Sequence, residues 1–144
     1  MKTCLKGALC ALAITAAPSL ASQSNLTAQV RQQAGLPGVQ ISHELTRAAQ
    51  RQADYMARSG YVGHTGPRGR GILQRARSAG FNACRAAENV AMGFGSERQV
   101  IQAFLKSPKH RRNILNRHVR QVGIASARGR NGQTYWAMML GTRC

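Results

Sequence analysis

The chain has 144 residues, with 21 basic and four acidic side chains and a formal charge of +17 at neutral pH. That length suits one ordinary domain, and the charge draws it toward anionic partners such as lipid headgroups and envelope polymers, although it also serves solubility alone. Aromatic residues are few (one Trp, three Tyr, three Phe) and do not interleave with the basic ones, which argues against base-stacking recognition of nucleic acid.

The chain opens as a targeting segment. Lys2 and Lys6 precede an apolar run from Gly7 to Ala17, and Ser19-Leu20-Ala21 ends in the small residues at which a signal peptidase cuts. The run is too short to span a bilayer, and no later segment is apolar enough. Residues 1–21 are expected to be a signal peptide, and 22–144 the mature domain, secreted or periplasmic and monomeric. Cleavage removes Lys2 and Lys6 but no acidic residue, which leaves a charge of +15, and 17 of the remaining basic residues are Arg. It also removes Cys4 and Cys10. Cys84 and Cys144 remain, and an even pair in an exported chain predicts a disulfide. Closing a loop of roughly 60 residues contributes on the order of 4 kcal/mol in the chain-entropy model.

In the mature chain a first helix is expected over about Asn25 to Ala34, ending at Gly35 with Pro37 beyond. A second has Ser42 as N-cap and Glu44 in its first turn, where the helix dipole favours an anion. Leu45, Ala48, Ala49, Ala53 and Met56 then recur at helical period, and Gly60 ends the run. Residues 60–71 form a glycine-rich segment holding His64. Ile72 to Ala79 reads as a short helix closed by Gly80, and Glu88 to Met92 as a short strand. Ser96 and Gln99 have capping-box spacing ahead of a helix bearing Val100, Ile101, Phe104 and Leu105. Ser107-Pro108 starts a further helical turn that contains His110. Gln121 to Ala127 is a strand, Asn131-Gly132 marks a hairpin loop, and Thr134 to Leu140 is apolar on both faces, as in a covered central strand. Helices followed by strands imply an α+β domain with helices packed over an antiparallel sheet.

Four segments in order resemble the CAP superfamily (cysteine-rich secretory, antigen 5 and pathogenesis-related proteins) in its short bacterial SCP-like form. They are Leu45 to Ala57 with His64-Thr65-Gly66; Ala87-Glu88-Asn89-Val90-Ala91-Met92-Gly93; Ser107-Pro108-Lys109-His110-Arg111-Arg112-Asn113-Ile114-Leu115; and Val122-Gly123-Ile124-Ala125 with Tyr135-Trp136-Ala137. The resemblance implies an α-β-α sandwich and a cleft gathering two histidines and acidic residues, here His64, Glu88 and His110. Larger members carry a further Glu about one turn after the aromatic that corresponds to Phe104. Here Leu105, Lys106 and Ser107 follow, so that carboxylate has no counterpart.

Two neutral imidazoles and a carboxylate are able to hold a divalent metal such as zinc, with positions left for water. The sequence separations among the three are far from a local zinc motif, so only the implied fold brings them together. The plain alternative for Glu88 is a buried ion pair with Arg. Asn89 alternates to the other strand face as a structural hydrogen bonder. His43 and His118 belong to no motif and are expected at the surface, with Arg111 and Arg112 as a basic rim or a solvated face. No Ser, Thr or Cys stands in a nucleophile motif. Three functions follow: an extracellular module binding a metal, lipid or other small ligand; a cationic envelope-interacting or antimicrobial protein; and a metal-dependent hydrolase of an envelope polymer using His64, Glu88 and His110.

Overall fold

In a computed structural model, which describes residues 20–144 and side chains from residue 26 onward, the helix with the clearest apolar stripe organises one face of the molecule. This helix, α2 (His43–Ser59), starts where Ser42 Oγ accepts the Leu45 N–H at 3.2 Å. It stops where Gly60 turns left-handed (φ 70°) and donates its N–H to the Met56 carbonyl, a closure that glycine makes without a Cβ penalty. The expected stripe of Leu45, Ala48, Ala49, Ala53 and Met56 is buried, and so is Gln52 on the same side.

The other elements are α1 (Leu20–Gln33), β1 (Gln40–Ile41), α3 (Ile72–Ser78), β2 (Ala83–Met92), α4 (Glu97–Lys106), α5 (Pro108–Ile114), β3 (Gln121–Arg128) and β4 (Thr134–Arg143). The strands form one sheet in the order β1-β3-β4-β2. Alternation along β4 divides the core. Tyr135, Ala137 and Met139 join α2, α3 and Phe81 on one face. Trp136, Met138 and Leu140 join Val100, Ile101, Phe104 and Ile114 of α4 and α5 on the other. The result is a three-layer α+β domain, with β4 as the covered central strand.

The sheet is mixed, not wholly antiparallel: β1 runs parallel to β3, pairing Gln40 with Gln121 and Ile41 with Val122. Two residues between Pro37-Gly38 and a helix cap carry no strand periodicity, so β1 left no trace in the sequence. Strand β2 begins at Ala83, five residues before Glu88, and β4 runs on to Arg143. The polar Cys84 and Arg85 hid this extension. They lie at an edge, and the register shifts between Ala83 and Arg85. The expected bridge from Cys84 to Cys144 forms beside that irregularity, with a Cα–Cα separation of 4.8 Å. The signal peptide expected over residues 1–21 lies outside the described residues except for its last two positions, and α1 begins before the expected Asn25.

Two contacts explain how helices meet the sheet. Any Cβ at Gly123 would overlap the backbone of Leu45 and Thr46, so α2 sits on β3 at the one place without a side chain. On the opposite face, buried Arg31 of α1 donates to four carbonyls: Pro37 (2.9 Å), Ile114 (2.7 Å), Asn116 (2.9 Å) and Val119 (3.1 Å). Its cation satisfies carbonyls at and beyond the end of α5, where a helix leaves acceptors without partners and the dipole favours positive charge. Burial, and to a lesser degree nearby Arg120, lowers its pKa from the usual guanidinium value.

Candidate functional site

The candidate residues gather along the outer edge of β2. Glu88 faces the α2–α3 side, and its carboxylate is fully buried between two donors. Arg75 of α3 grips it at both oxygens, Nη1 to Oε2 at 2.6 Å and Nη2 to Oε1 at 3.0 Å. His64 Nδ1 reaches Oε1 at 3.0 Å while half of its side chain (53%) stays exposed. The planar guanidinium matches the carboxylate fork, an arrangement a lysine could not reproduce.

Arg75 also builds the loop that carries His64. Its Nη2 donates to the His64 carbonyl at 2.7 Å, and its Nε to the Arg70 carbonyl at 3.3 Å. Buried Gln52 donates to the Gly63 carbonyl at 2.6 Å. Gly66 lets the Arg75 side chain pass: an added Cβ would lie only 2.9 Å from both Arg75 Nε and Gln52 Oε1. The loop closes through a 3-10 turn at Pro67–Gly69, in which Arg68 takes a left-handed φ of 59°.

His110 stands on α5, with its ring edge-on to Phe104 at a centroid distance of 5.0 Å. The other face of β2 holds that helix in place. Asn89 Nδ2 donates to the His110 carbonyl at 3.1 Å, and Asn113 Nδ2 donates to Asn89 Oδ1 at 2.8 Å and to the Glu88 carbonyl at 3.3 Å. Asn89 thus has the structural role its alternation implied.

The two imidazoles differ in proton affinity. The hydrogen bond to Glu88, then that carboxylate's charge, raises the His64 pKa above the usual 6.5 against burial and Arg75. Burial lowers that of His110, and the fields of His64 and Lys109 lower it further. His64 therefore keeps its proton to higher pH, and His110 offers a neutral ring.

A resident divalent metal fits this arrangement poorly. Both Glu88 oxygens are spent on Arg75 and His64, His64 Nδ1 is committed, and a fixed guanidinium lies where a metal cation would approach the carboxylate. Among the described residues no three His, Cys, Asp or Glu side chains group so as to hold an ion. Glu88 thus stands beside His64 as its hydrogen-bond partner, with its carboxylate taken up by the buried pair with Arg75 and not open as a zinc ligand.

Sequence reasoning missed Arg75, Gln52 and Asn113. The signal for Arg75 was present: it shares a helical face with Ile72, Ala76 and Ala79, a core-facing position for a charged residue. Gln52 lies on the α2 stripe in the same way. His43, His118, Arg111 and Arg112 are exposed.

A family model described as the cysteine-rich secretory protein family, CAP, matches residues 24–140. The uncharacterized protein YkwD of Bacillus subtilis is 31% identical over 115 residues; the match takes in 76% of this chain but only 45% of YkwD. Among solved structures, an outer surface protein of Borrelia burgdorferi superposes with a TM-score of 0.77 at 20% identity, over 87% of this chain and 92% of that one. An extracellular SCP-domain protein of Bacillus anthracis superposes with a TM-score of 0.73 at 21% identity, over 85% of this chain and 40% of its own.

Proposed function

The chain belongs to the CAP, or cysteine-rich secretory protein, family, and from that premise we propose that it is an exported binding module whose cleft holds a small ligand at His64 and His110. The observation that carries this reading is the saturation of Glu88. With both oxygens engaged and no exposure, the carboxylate orients His64 and is not free to act as a general base. Among the described residues neither imidazole hydrogen-bonds a Ser, Thr or Cys side chain, so none of these is poised as an activated nucleophile. A half-exposed ring fixed by a buried partner through Nδ1 leaves Nε2 for a ligand. Export is supported by the N-terminal pattern and by the extracellular and outer-surface relatives.

The test is ligand retention. Mature protein incubated with a small-molecule extract of bacterial envelopes, washed and analysed by mass spectrometry is expected to retain compounds that His64→Ala does not, and to leave them chemically unchanged. Equal retention by His64→Ala would place binding elsewhere. Consumption of a compound at a rate that Glu88→Gln abolishes would restore the hydrolase reading.

A further inference from the structure

The opposite edge of the sheet carries a second concavity. Strand β1 ends at Ile41, opposite Val122, and Ser42 donates to the Val122 carbonyl before the chain turns into α2. Among the described residues, no strand lies beside the outer edge of β3 from Ile124 to Arg128. A groove of about 570 Å³ runs along this stretch. Thr46 and Gln50 of α2 form one wall and Gly95 to Arg98, at the start of α4, the other. Ile124, Ala125, Ser126 and Trp136 form the floor.

The groove differs in three ways from a plain solvated edge. Its outward main-chain groups are almost unused: Ser126 O accepts Gln50 Nε2 at 3.0 Å, and that exposed side chain is easily displaced. Its floor is apolar and braced, because the Trp136 indole donates to the Phe94 carbonyl at 2.8 Å. It also holds Glu97, half-buried and, among the described residues, without an ion-pair or side-chain hydrogen-bond partner in a chain with 21 basic residues. Burial raises its pKa, as expected of a carboxylate that lacks a compensating cation. Arg98 beside it is exposed, and its charge is screened by solvent.

The geometry points to this groove as a docking site for an extended peptide segment of a partner protein bearing a Lys or Arg. The segment would add as a strand along Ile124–Arg128, with an apolar side chain over Ile124 and Trp136 and its cation at Glu97. Strand addition supplies affinity through main-chain hydrogen bonds and specificity through alternate side chains. Glu97 selects the basic residue, because a half-desolvated carboxylate interacts more strongly with a cation than an exposed one does. A second copy of the chain is disfavoured as the occupant by the repulsion between two strongly cationic bodies.

The probe is a short blocked peptide alternating Thr and Val with a central Lys, followed by amide chemical shifts of the mature protein. Shifts are expected at Ile124, Ser126 and Glu97. The same peptide with Glu in place of Lys should bind more weakly by about tenfold or more, the scale of a charge-assisted hydrogen bond, and Glu97→Gln should erase that preference. Gln50→Ala should tighten binding by freeing the Ser126 carbonyl. Ser126→Pro removes an outward N–H and should abolish binding, whereas Ser126→Ala should not. If Ser126→Pro does not fold, backbone N-methylation of the peptide along its pairing edge replaces that arm and should have the same effect. The proposal is overturned by an absence of shifts along β3, by N-methylated peptide binding as well as the parent, or by sedimentation showing that the edge already pairs two copies of the chain.

Discussion

The two long edges of the sheet have been finished in opposite ways. Along β2, a buried guanidinium, an imidazole and one asparagine, Asn113, take up the Glu88 carboxylate, Asn89 and the Glu88 main-chain carbonyl, and α3 and α5 are held to the strand by those bonds. Along β3, among the described residues, one exposed glutamine covers one carbonyl and a half-buried carboxylate has no side-chain partner. Edge strands invite unwanted pairing unless they are blunted. Here one edge is closed by polar groups that also shape a cleft, and the other is left accessible. On the two proposals made above, a single sheet offers a rigid small-molecule site and an adaptable surface on opposite sides of β4.

By this contrast, substitutions at the β2 edge should cost far more than those at β3. Arg75→Met should lower unfolding stability by about 3–5 kcal/mol, the usual result of leaving one member of a buried ion pair behind. Chemical denaturation measures this, and the double variant Arg75→Met with Glu88→Gln should recover much of the loss. Recovery is informative because it separates an uncompensated charge from a packing defect. Asn113→Ala should cost about 1–3 kcal/mol, since Asn89 Oδ1, fully buried, loses its donor.

A pH titration sharpens the comparison without perturbing the fold. Imidazole resonances should show His64 titrating above 6.5 and His110 below it, and Glu88→Gln should bring His64 down. The two contribute to stability in opposite directions. The His64 contribution is complete below 6.5 and fades as pH rises through its raised folded value. That of His110 is complete above 6.5 and fades as pH falls through its lowered folded value. The two slopes therefore oppose each other near 6.5, and either single His→Ala variant should unmask the slope of the other. The smallest effect is expected at β3: Gln50→Ala should shift stability by no more than about 0.5 kcal/mol, as for ordinary surface substitutions.

The helices and the central strand were legible because their information is local. Ser42, Gly60 and the α2 stripe announce a helix, and the two-faced apolar run of β4 announces burial on both sides. The residue resemblance placed His64, Glu88 and His110 at one edge but could not show what else would arrive there. Arg75 comes from α3, and its pairing with Glu88 depends on how that helix packs against β2, which no local spacing encodes. The expectation that Glu88 is itself a zinc ligand was drawn without the cation that competes for the carboxylate. Strand β1 was invisible because two residues need only a neighbour, and that neighbour lies some eighty positions away.

The position of β4 has a consequence in time as well as in space. It is the last element in chain order, yet it separates β3 from β2 and supplies both faces of the core. Synthesis delivers the chain from its N-terminus, so until β4 emerges β2 has no strand to pair with, and α2 and α4 have only a partial sheet to cover. The core of this domain therefore cannot close before β4 is available. A polypeptide that stays open until its final strand arrives is suited to being threaded through a narrow channel before it closes.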